Sequence, residues 1–499
     1  MDYLVKRPML SCAIISVAAV VAGCYSKFIL FLIGVGVIAL IFTFHYKQKS
    51  AYFVVFLFVF AVIVSEFYQI SQKEKIKDYN GNTCYGEYTV ITEPKMADSY
   101  YTATVEVLKS DFLEKGTKIS VIYNGANIEF SDIIKADITI KSAKTSAYCY
   151  SQKIYCNGTM KSVVKTGKRD FVLDKVRSLR KYISFKIHKN FGYAEFATIL
   201  ALITSDKSYF SNEFYNNVKS AGVAHIMVVS GLHLSIIVTF LLAFTKKIFY
   251  NRYLKAFTIF LAVILVSTVA GFSMSVLRAG VTYILISVSF ILNRPNTPSN
   301  TLGTAVSILL INNPFAVFNV AFQLSVLSTF GILAVAIPII EFVRQAEYIK
   351  SKLLFSLFSA GLITLSATVL TLPVLIYNFG YVSNVFLITN LLICTPVTVA
   401  VCLVILGLIT PFGKVFFFAA GIVVKYINFV INCFGSLKFA VTRLNEWTGY
   451  VSVAVVILIL FGLATCKKHL DMLKSEQLNN KRIKESGGMR KWRSFLKKL

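Results

Sequence analysis

Long apolar runs separated by short polar loops make up most of this chain. Three such runs precede residue 68, and nine more begin near residues 223, 256, 276, 300, 319, 354, 385, 415 and 450. A run of about 20 apolar residues is long enough to cross a bilayer as an α-helix. The pattern therefore predicts a polytopic α-helical membrane protein of about twelve spans, with three at 1–67 and nine at 223–466. No small-residue cleavage pattern follows the first run, so we expect it to be retained.

The segment between these two groups of spans is polar and has a different periodicity. Apolar and polar residues alternate at 88–92, 102–108, 117–123 and 135–140, and Gly, Asn and Lys bound these runs. Such alternation is typical of strands, so residues 68–170 are predicted to form a small β-rich barrel or sandwich. Residues 171–222 combine helical spacing with basic residues or short apolar runs, which predicts amphipathic and interfacial helices.

The charge distribution predicts the orientation. The net charge is +28, and the loops alternate between basic and uncharged, so the positive-inside rule places both termini in the cytoplasm and residues 68–189 outside. The tail at 467–499 carries 11 Lys and Arg against three acids, and anionic lipid would attract it.

The extracytoplasmic segment is itself basic. Between Lys73 and Lys189, 21 Lys and Arg face 13 Asp and Glu, a net charge of +8. A basic barrel can bind single-stranded nucleic acid through phosphate contacts and aromatic stacking. The tyrosines available for stacking are Tyr100, Tyr101, Tyr123, Tyr148 and Tyr150. Alternatively, the lysines only solubilise the strands and the tyrosines fill the core.

The most unusual stretch is AGVAHIMVVSGLHLSII at 221–237. It places His225, Ser230, Gly231 and His233 in a run otherwise as apolar as a membrane span, where polar groups are costly and frequently functional. On a continuous helix the two histidines and Ser230 would share one broad face. Alternatively, they only hold the packing together, while Gly222 and Gly231 let helices approach closely.

Other polar groups at span depth are Arg278, Gln323, Ser325 and Asn390. A guanidinium at such a depth needs a carboxylate, backbone carbonyls or a passing phosphate. Asp206 precedes these spans and is expected to cap the following segment rather than to face a pore mouth. Prolines at 314, 338, 373 and 396 predict interrupted helices, because proline removes a backbone donor.

Three of the nine cysteines, Cys84, Cys149 and Cys156, lie in the polar segment, where an exterior location permits a disulfide. Sequence alone does not choose the pair, but Cys149 and Cys156 are close enough to meet across a tight turn, and we expect that bridge. The five histidines are scattered and no HExxH motif occurs, so no metal site and no cofactor is expected. No Walker A pattern occurs, so an ATPase would be a partner.

Four ordered motifs resemble the ComEC family, the membrane channels that bring transforming DNA into bacteria. They are ALITSDKSYFSNEFYNNVKSAGVAHIMVVSGLHLSII, GFSMSVLRAG, NPFAVFNVAFQLS and TLPVLIYNFGYVSNVFLITNLLICTP. AYCYSQKIYCNGTM also resembles the segment that closes the family's OB-like domain. The resemblance implies a role in the DNA path or its gate for eight residues, namely Asp206, His225, Ser230, Gly231, His233, Arg278, Gln323 and Ser325. We expect Asn390, a further polar group at span depth, to serve the same path. Ser205 stands where Gly is usual, and Asn319 and Ala321 stand where members often have Asp and Gly, so an ion-pairing role at Asn319 is not expected.

Many members of this family carry a C-terminal metallo-β-lactamase-like domain, which is proposed to degrade one DNA strand. Its His-x-His-x-Asp-His cluster does not occur in this sequence, so we expect a separate nuclease. The resemblance implies single-stranded DNA and the lipid bilayer as partners, together with a cytoplasmic ATPase or helicase and a DNA receptor. It implies import of DNA during natural transformation by a channel that is not an enzyme.

Two other functions fit the residues alone. The first is transport of another polyanion, such as a cell-wall precursor. The second is intramembrane hydrolysis, either by Ser230 with His233 or by a metal held by His225 and His233. A serine and a histidine three residues apart on one helix rarely bring the imidazole to the hydroxyl.

Overall fold

The computed structural model describes residues 81–451, apart from 98–99, 126–127, 142–150, 153, 246–250, 346–347, 445–447 and 449–450. The three predicted N-terminal spans, the last predicted span and the basic tail lie outside the described residues. So do Cys149, Tyr148 and Tyr150.

The first described unit is a six-stranded sheet. Its strands are β1 (Thr83–Val90), β2 (Lys95–Ala97), β3 (Tyr100–Ser110), β4 (Lys118–Tyr123), β5 (Asp132–Lys141) and β6 (Ile154–Arg169). They pair in the order β1-β5-β6-β4-β3-β2, and β1 also pairs with β3, which closes a five-stranded ring. The pairing of β4 with β6 is parallel, whereas every other pairing in the sheet is antiparallel.

The strands form where apolar and polar residues alternate. Along β5 every second residue is buried, from Asp132 through Ile140, as expected of a strand with one face on a core. Each of the four predicted strands lies in or overlaps an observed one, whereas β2 and the 16-residue β6 were not predicted. Tyr123 is only 3% exposed, so its prediction as a stacking surface is wrong and the core-filling alternative holds there. Tyr100 and Tyr101 remain exposed.

Helices make up the rest of the described chain. Two amphipathic or short apolar helices follow the sheet as predicted, α1 (Phe171–Asn190) and α2 (Tyr193–Thr204), and α3 (Asn212–Ser220) comes next. The later helices are α4 (Gly231–Thr245), α5 (Arg252–Ala270), α6 (Met274–Ile291), α7 (Pro298–Asn312), α8 (Val320–Gly331), α9 (Ile337–Gln345), α10 (Lys352–Phe379), α11 (Phe386–Ile409) and α12 (Gly413–Gly435). A short pair of strands, β7 (Tyr381–Ser383) and β8 (Val441–Arg443), lies among them.

Six segments of the described chain are long and apolar enough to cross a membrane. They are α5, α6, the continuous run Val320–Arg344, α10, α11 and α12. The protein is therefore a polytopic helical membrane protein. Helices α4 and α7 have 15 residues each, which is shorter than a typical span, and the number of twelve spans stays a prediction.

The predicted span beginning near residue 223 is wrong in its first two turns. Residues 221–230 are irregular, and the helix begins only at Gly231. Gly222 has a φ of +76°, and a Cβ there would lie 2.8 Å from the Cβ atoms of Ser383 and Phe386. Hydroxyl groups of Ser383 and Thr389 bind the carbonyls of Ser220 and Ala221. The chain therefore turns tightly against the start of α11 instead of continuing as a helix.

The prolines interrupt fewer helices than predicted. Helices α10 and α11 continue through Pro373 and Pro396, so those two predicted interruptions are wrong. Pro338 follows a π-helical turn at Ile332–Ala336, in which the Ile337 N–H binds the Ile332 carbonyl. A proline cannot donate to the carbonyl four residues earlier, and the wider turn absorbs that loss. Pro314 begins a short 3-10 helix between α7 and α8.

Polar contacts join the strand domain to the helices. Arg177 of α1 is 4% exposed and pairs with Glu129 of the strand domain, while Arg169 of β6 pairs with Asp174 of α1 at 3.4 Å. Arg180 Nη2 donates to the Thr268 carbonyl at the end of α5, at 3.0 Å. These contacts fix α1 between the barrel and the bundle.

Candidate functional site

Ser230 and His233 cap the first turn of α4. The backbone N–H of Ser230 donates to His233 Nδ1 at 3.2 Å, and the Leu232 N–H donates to Ser230 Oγ at 3.3 Å. A helix leaves its first N–H groups without helical partners, and a serine at the N-cap with an acceptor three residues later is a recurrent solution. In this helix a histidine occupies the position usually held by Glu or Gln. The two side chains therefore have a structural role that spacing alone did not reveal.

This cap fixes the state of the imidazole. Because Nδ1 accepts the Ser230 N–H, the ring carries its proton on Nε2. His233 is 1% exposed, and its Nε2 is buried with no hydrogen-bond partner among the described residues. A buried donor without a partner is costly and calls for an explanation. The end of the ring that does not cap the helix therefore carries a donor for which the described chain supplies no acceptor.

Arg278 is the second unusual group. It lies in α6, is 8% exposed, and donates from Nε to Ser325 Oγ of α8 at 3.0 Å. Ser275 Oγ, one turn earlier, also reaches Ser325 Oγ at 3.2 Å. Within the described part of the chain no carboxylate lies within 4.0 Å of Arg278. A buried guanidinium is expensive unless an anion compensates it.

Gly231 brings the helix start and the arginine together. A Cβ at position 231 would lie 3.0 Å from Arg278 Nη2 and 3.2 Å from the Ala279 Cβ. The predicted close approach at Gly231 is confirmed. The first turn of α4, which carries a partial positive charge and unpaired N–H groups, therefore lies beside a buried guanidinium. Such an arrangement is suited to an anion.

The turn that contains Asp206 contacts the residues just before α4. Asp206 Oδ1 accepts the backbone N–H and the hydroxyl of Ser208 at 2.9 and 2.7 Å. It caps this local turn, whereas Ser211 caps α3. Ser205 has a φ of +66°, a conformation in which glycine is favoured, and its hydroxyl accepts the Val229 N–H at 3.1 Å. The serine that replaces glycine thus ties this turn to the residues just before α4.

The remaining predicted residues are not all brought together. His225 is exposed in the irregular turn before α4, so the expected shared helix face does not exist. Gln323 donates to the Val317 carbonyl at 2.7 Å and so fastens the 3-10 turn to α8. Asn390 is 4% exposed in α11, and its Oδ1 has no hydrogen-bond partner among the described residues. Ser325 is the one of these that contacts Arg278.

Sequence reasoning missed a contact between the barrel and the motif NPFAVFNVAFQLS. Asn313 Nδ2 donates to the Ser151 carbonyl at 2.7 Å, and Asn319 Nδ2 donates to Ser151 Oγ at 3.3 Å. Asn319 Oδ1 also caps α8 by accepting the Phe322 N–H. An aspartate could cap the helix but could not donate, so the departure at Asn319 has a structural use. Two asparagines six residues apart at an apolar helix start were the available signal.

The expected disulfide is untested, because Cys149 lies outside the described residues. Cys156 is 2% exposed, lies in the barrel core with Cys84 and is not bridged to it. Burial and the neighbouring Cys84 raise the pKa of Cys156 to about 11. Among the described residues no group of three His, Cys, Asp or Glu side chains is placed to hold a metal ion.

The geometric objection to hydrolysis by Ser230 is wrong in one respect. Ser230 Oγ lies 3.2 Å from His233 Nδ1, because Ser230 precedes the helix and is not on its face. The other ring nitrogen has no orienting carboxylate in the described chain, which a serine-histidine hydrolase normally supplies.

Comparisons with known proteins identify relatives of this chain. ComE operon protein 3 of Bacillus subtilis (strain 168) is 22% identical over 446 residues, which cover 86% of this chain and 56% of that protein. The uncharacterized protein MG316 of Mycoplasma genitalium is 28% identical over 251 residues, 49% of this chain and 57% of that protein. Its homolog in Mycoplasma pneumoniae is 29% identical over 125 residues, 25% of this chain and 32% of that protein.

The chain thus spans little more than half the length of the longest-matched relatives. No solved structure matches it. The family described as "Competence protein" matches residues 202–469, more than half of the chain, and this range includes Ser205, Ser230, His233, Arg278 and Ser325. The chain belongs to the ComEC family of competence proteins.

Proposed function

We propose that this protein is a membrane channel that imports single-stranded DNA across the bacterial cell membrane during transformation. The observation that carries the proposal is the buried Arg278 beside the start of α4, with only a serine hydroxyl as its side-chain partner in the described chain. A strand with one charge per nucleotide cannot enter hydrocarbon, so its phosphates need cations and donors within a protein path.

The proposed path uses three kinds of donor for each passing phosphate. Arg278 supplies a guanidinium, the first turn of α4 supplies backbone N–H groups, and His233 supplies the Nε2 proton. Each is fixed before the phosphate arrives: Arg278 by Ser325, and His233 by the Ser230 cap. Because the strand must also be released, its phosphates must not be held too tightly. The neutral imidazole adds a hydrogen bond to the phosphate without adding a second full positive charge.

The barrel supports the same proposal. Without β2 its ring order is β1-β3-β4-β6-β5-β1 with one parallel pair, β4 and β6, which is why we assign it as OB-like, a barrel class that frequently binds single strands. Tyr101 is exposed and stacks on Tyr123 at 5.6 Å. In the proposed orientation residues 68–189 lie outside and both termini inside, and an ATPase or helicase, a DNA receptor and a nuclease act as separate partners.

Uptake of labelled DNA by a strain that lacks the gene tests the proposal directly. Restoring the gene is expected to restore entry of label into the cytoplasm as single strands, while incorporation of cell-wall precursors is the same with and without the gene. Restored precursor incorporation with unchanged DNA entry would favour transport of another polyanion instead.

The 3.2 Å contact between Ser230 and His233 keeps intramembrane hydrolysis as a second candidate. Ser230→Thr keeps a cap and a hydroxyl, whereas Ser230→Asn keeps only the cap. Uptake that survives Ser230→Asn at normal protein abundance excludes a nucleophilic serine, and uptake lost in Ser230→Asn alone favours one.

A further inference from the structure

A cleft with several amide side chains in its walls lies outside the Arg278 site, between the helices α2, α3 and α12. It has a volume of about 470 Å³, and its walls include Asn217, Asn428, Asn432, Glu213, Tyr193 and Tyr209. We call it the amide cleft. Asn428 and Ser436 mark its extent along α12, eight residues or about 12 Å of helix, so it occupies the end of a candidate membrane span.

Hydrogen bonds hold the amide side chains of the cleft in place but do not occupy all of their polar atoms. Asn217 Nδ2 donates to Asn432 Oδ1 at 3.1 Å, and Thr198 Oγ1 donates to Asn428 Oδ1 at 2.8 Å. The two helices meet this closely because α12 has Gly435, where a Cβ would lie 2.4 Å from the Asn217 carbonyl oxygen. Asn217 Oδ1 and Asn432 Nδ2 have no hydrogen bond to the described chain. Each of the two amides therefore keeps one polar atom without a partner in the described chain, an acceptor on Asn217 and a donor on Asn432.

The chemistry of the walls selects the kind of ligand. Among the described residues that line the cleft none is Lys or Arg, and Glu213 adds a carboxylate. A phosphate is therefore disfavoured. An acceptor, a donor and a carboxylate match the edge of a base that carries an amino group, because asparagine amides and carboxylates pair with such edges.

Aromatic side chains supply a stacking surface. Tyr193 is 66% exposed, and Tyr209 is held by an edge-to-face contact with Phe196 at 5.0 Å. Bases stack on aromatic side chains with little sequence preference. A cleft of this volume is also within the range of small-molecule sites.

We propose that the amide cleft binds one base of the entering strand, and that it favours cytosine and adenine over thymine. This inference rests on the proposed import of single-stranded DNA and names a second contact for the strand, to a base instead of a phosphate. The Arg278 site would then bind a phosphate of the strand, and the amide cleft would bind one of its bases.

Binding of fluorescent oligonucleotides to the full chain in nanodiscs tests this inference. The probes are oligo-dC, oligo-dT and an abasic strand of the same length and charge, at one fixed salt concentration. The wild type is expected to bind oligo-dC roughly fivefold or more tighter than the abasic strand, with oligo-dT in between. Equal affinity for all three probes would overturn the proposal.

Two substitutions locate the effect. Asn432→Leu removes the amide at similar volume and is expected to remove most of the difference between oligo-dC and the abasic strand, while abasic binding stays unchanged. Asn378→Leu, on the exposed side of α10, is the matched control and is expected to change neither. Glu213→Gln, at an exposed position, is expected to narrow the preference for oligo-dC over oligo-dT. A base preference that persists unchanged in Asn432→Leu and in Glu213→Gln contradicts the assignment.

This readout is independent of transport. If Arg278 variants import DNA normally but Asn432→Leu loses base binding, the proposed role of Arg278 fails and the cleft stands. If DNA import depends on Arg278 but Asn432→Leu binds all probes as the wild type does, the cleft fails alone.

Discussion

His233 Nδ1 accepts the backbone N–H of Ser230 at 3.2 Å, and the opposite ring nitrogen is buried without a partner in the described chain. The His233 side chain thus caps the start of α4 with Nδ1 and leaves the Nε2 donor without a partner in the described chain. The roles of the two ring nitrogens can be tested separately, because a substitution can restore the helix cap without restoring the buried donor.

At His233, glutamine and alanine differ in what they restore. Gln supplies an acceptor for the cap and a donor amide, and Glu or Gln is the usual residue at this position of a capping box. We expect His233→Gln to fold normally and to retain part of DNA uptake. His233→Ala loses the cap, which costs about 1 kcal/mol, and loses the donor, so uptake should be lost even when abundance is matched.

Ser235→Ala is the control for this pair. It removes a hydroxyl two residues later on the same helix, whose hydrogen bond in the described chain is to the Gly231 carbonyl. If DNA uptake per molecule is the same in His233→Ala and Ser235→Ala, the imidazole contributes only to packing and not to uptake.

Gly231→Ala tests the approach of α4 to Arg278. The new Cβ would lie 3.0 Å from Arg278 Nη2, so the guanidinium must shift. Alanine is the better helix former by about 1 kcal/mol, and we expect little or no loss of thermal stability but a severalfold loss of DNA uptake. Gly361→Ala, where a Cβ meets nothing within 4 Å, should leave uptake unchanged. If Gly231→Ala and Gly361→Ala change DNA uptake equally, the close approach of Gly231 to Arg278 has no role in uptake.

Ser205 has two opposing effects on stability. Its left-handed backbone costs about 1 kcal/mol relative to glycine, and its hydrogen bond to the Val229 N–H contributes about 1 kcal/mol. Ser205→Gly should therefore be close to neutral in thermal unfolding of the purified protein. Ser205→Ala keeps the strain and loses the bond, so it should be less stable by about 1 kcal/mol or more. Equal stability of the alanine and glycine variants would rule out this explanation of the serine.

Cys156 makes a prediction about pH. Its pKa is raised to about 11, so at pH 8 roughly one thiol in a thousand is a reactive thiolate. We expect alkylation by iodoacetamide, mapped by mass spectrometry, to be far slower at Cys156 than at the exposed Cys433. The rate at Cys156 should rise as pH approaches the raised pKa. Modification of Cys156 and Cys433 at the same rate at pH 8 would contradict the buried position of Cys156. If Cys149 and Cys156 form a bridge, the same peptide map would instead show a linked peptide.

The sequence predicted the membrane class and the strands because those depend on local periodicity. It predicted a helix through His225 because every residue from 223 to 237 is compatible with one. The turn at 221–230 depends on contacts with Ser383 and Thr389, more than 150 residues away, and periodicity contains no such information. The contact of Ser151 with Asn313 and Asn319 has the same origin.

Among the site residues, the sequence indicated Arg278 and Ser325 separately, from the cost of polar groups at span depth. Their contact depends on the packing of α6 against α8. The cap made by His233 was missed because it required the helix to begin at Gly231.

Entry of radiolabelled DNA in cells that carry Arg278→Gln is the most direct test of the proposed channel. Gln keeps a donor but removes the charge, and Arg278→Lys keeps the charge but loses the fork that binds Ser325. Ser328→Ala is the control, since that hydroxyl lies on α8 and, among the described residues, donates to the Ser325 carbonyl. At matched membrane abundance we predict uptake at least about tenfold lower for Arg278→Gln, intermediate for Arg278→Lys and parental for Ser328→Ala. An Arg278→Gln protein that is fully abundant and imports DNA at the parental rate would contradict the account.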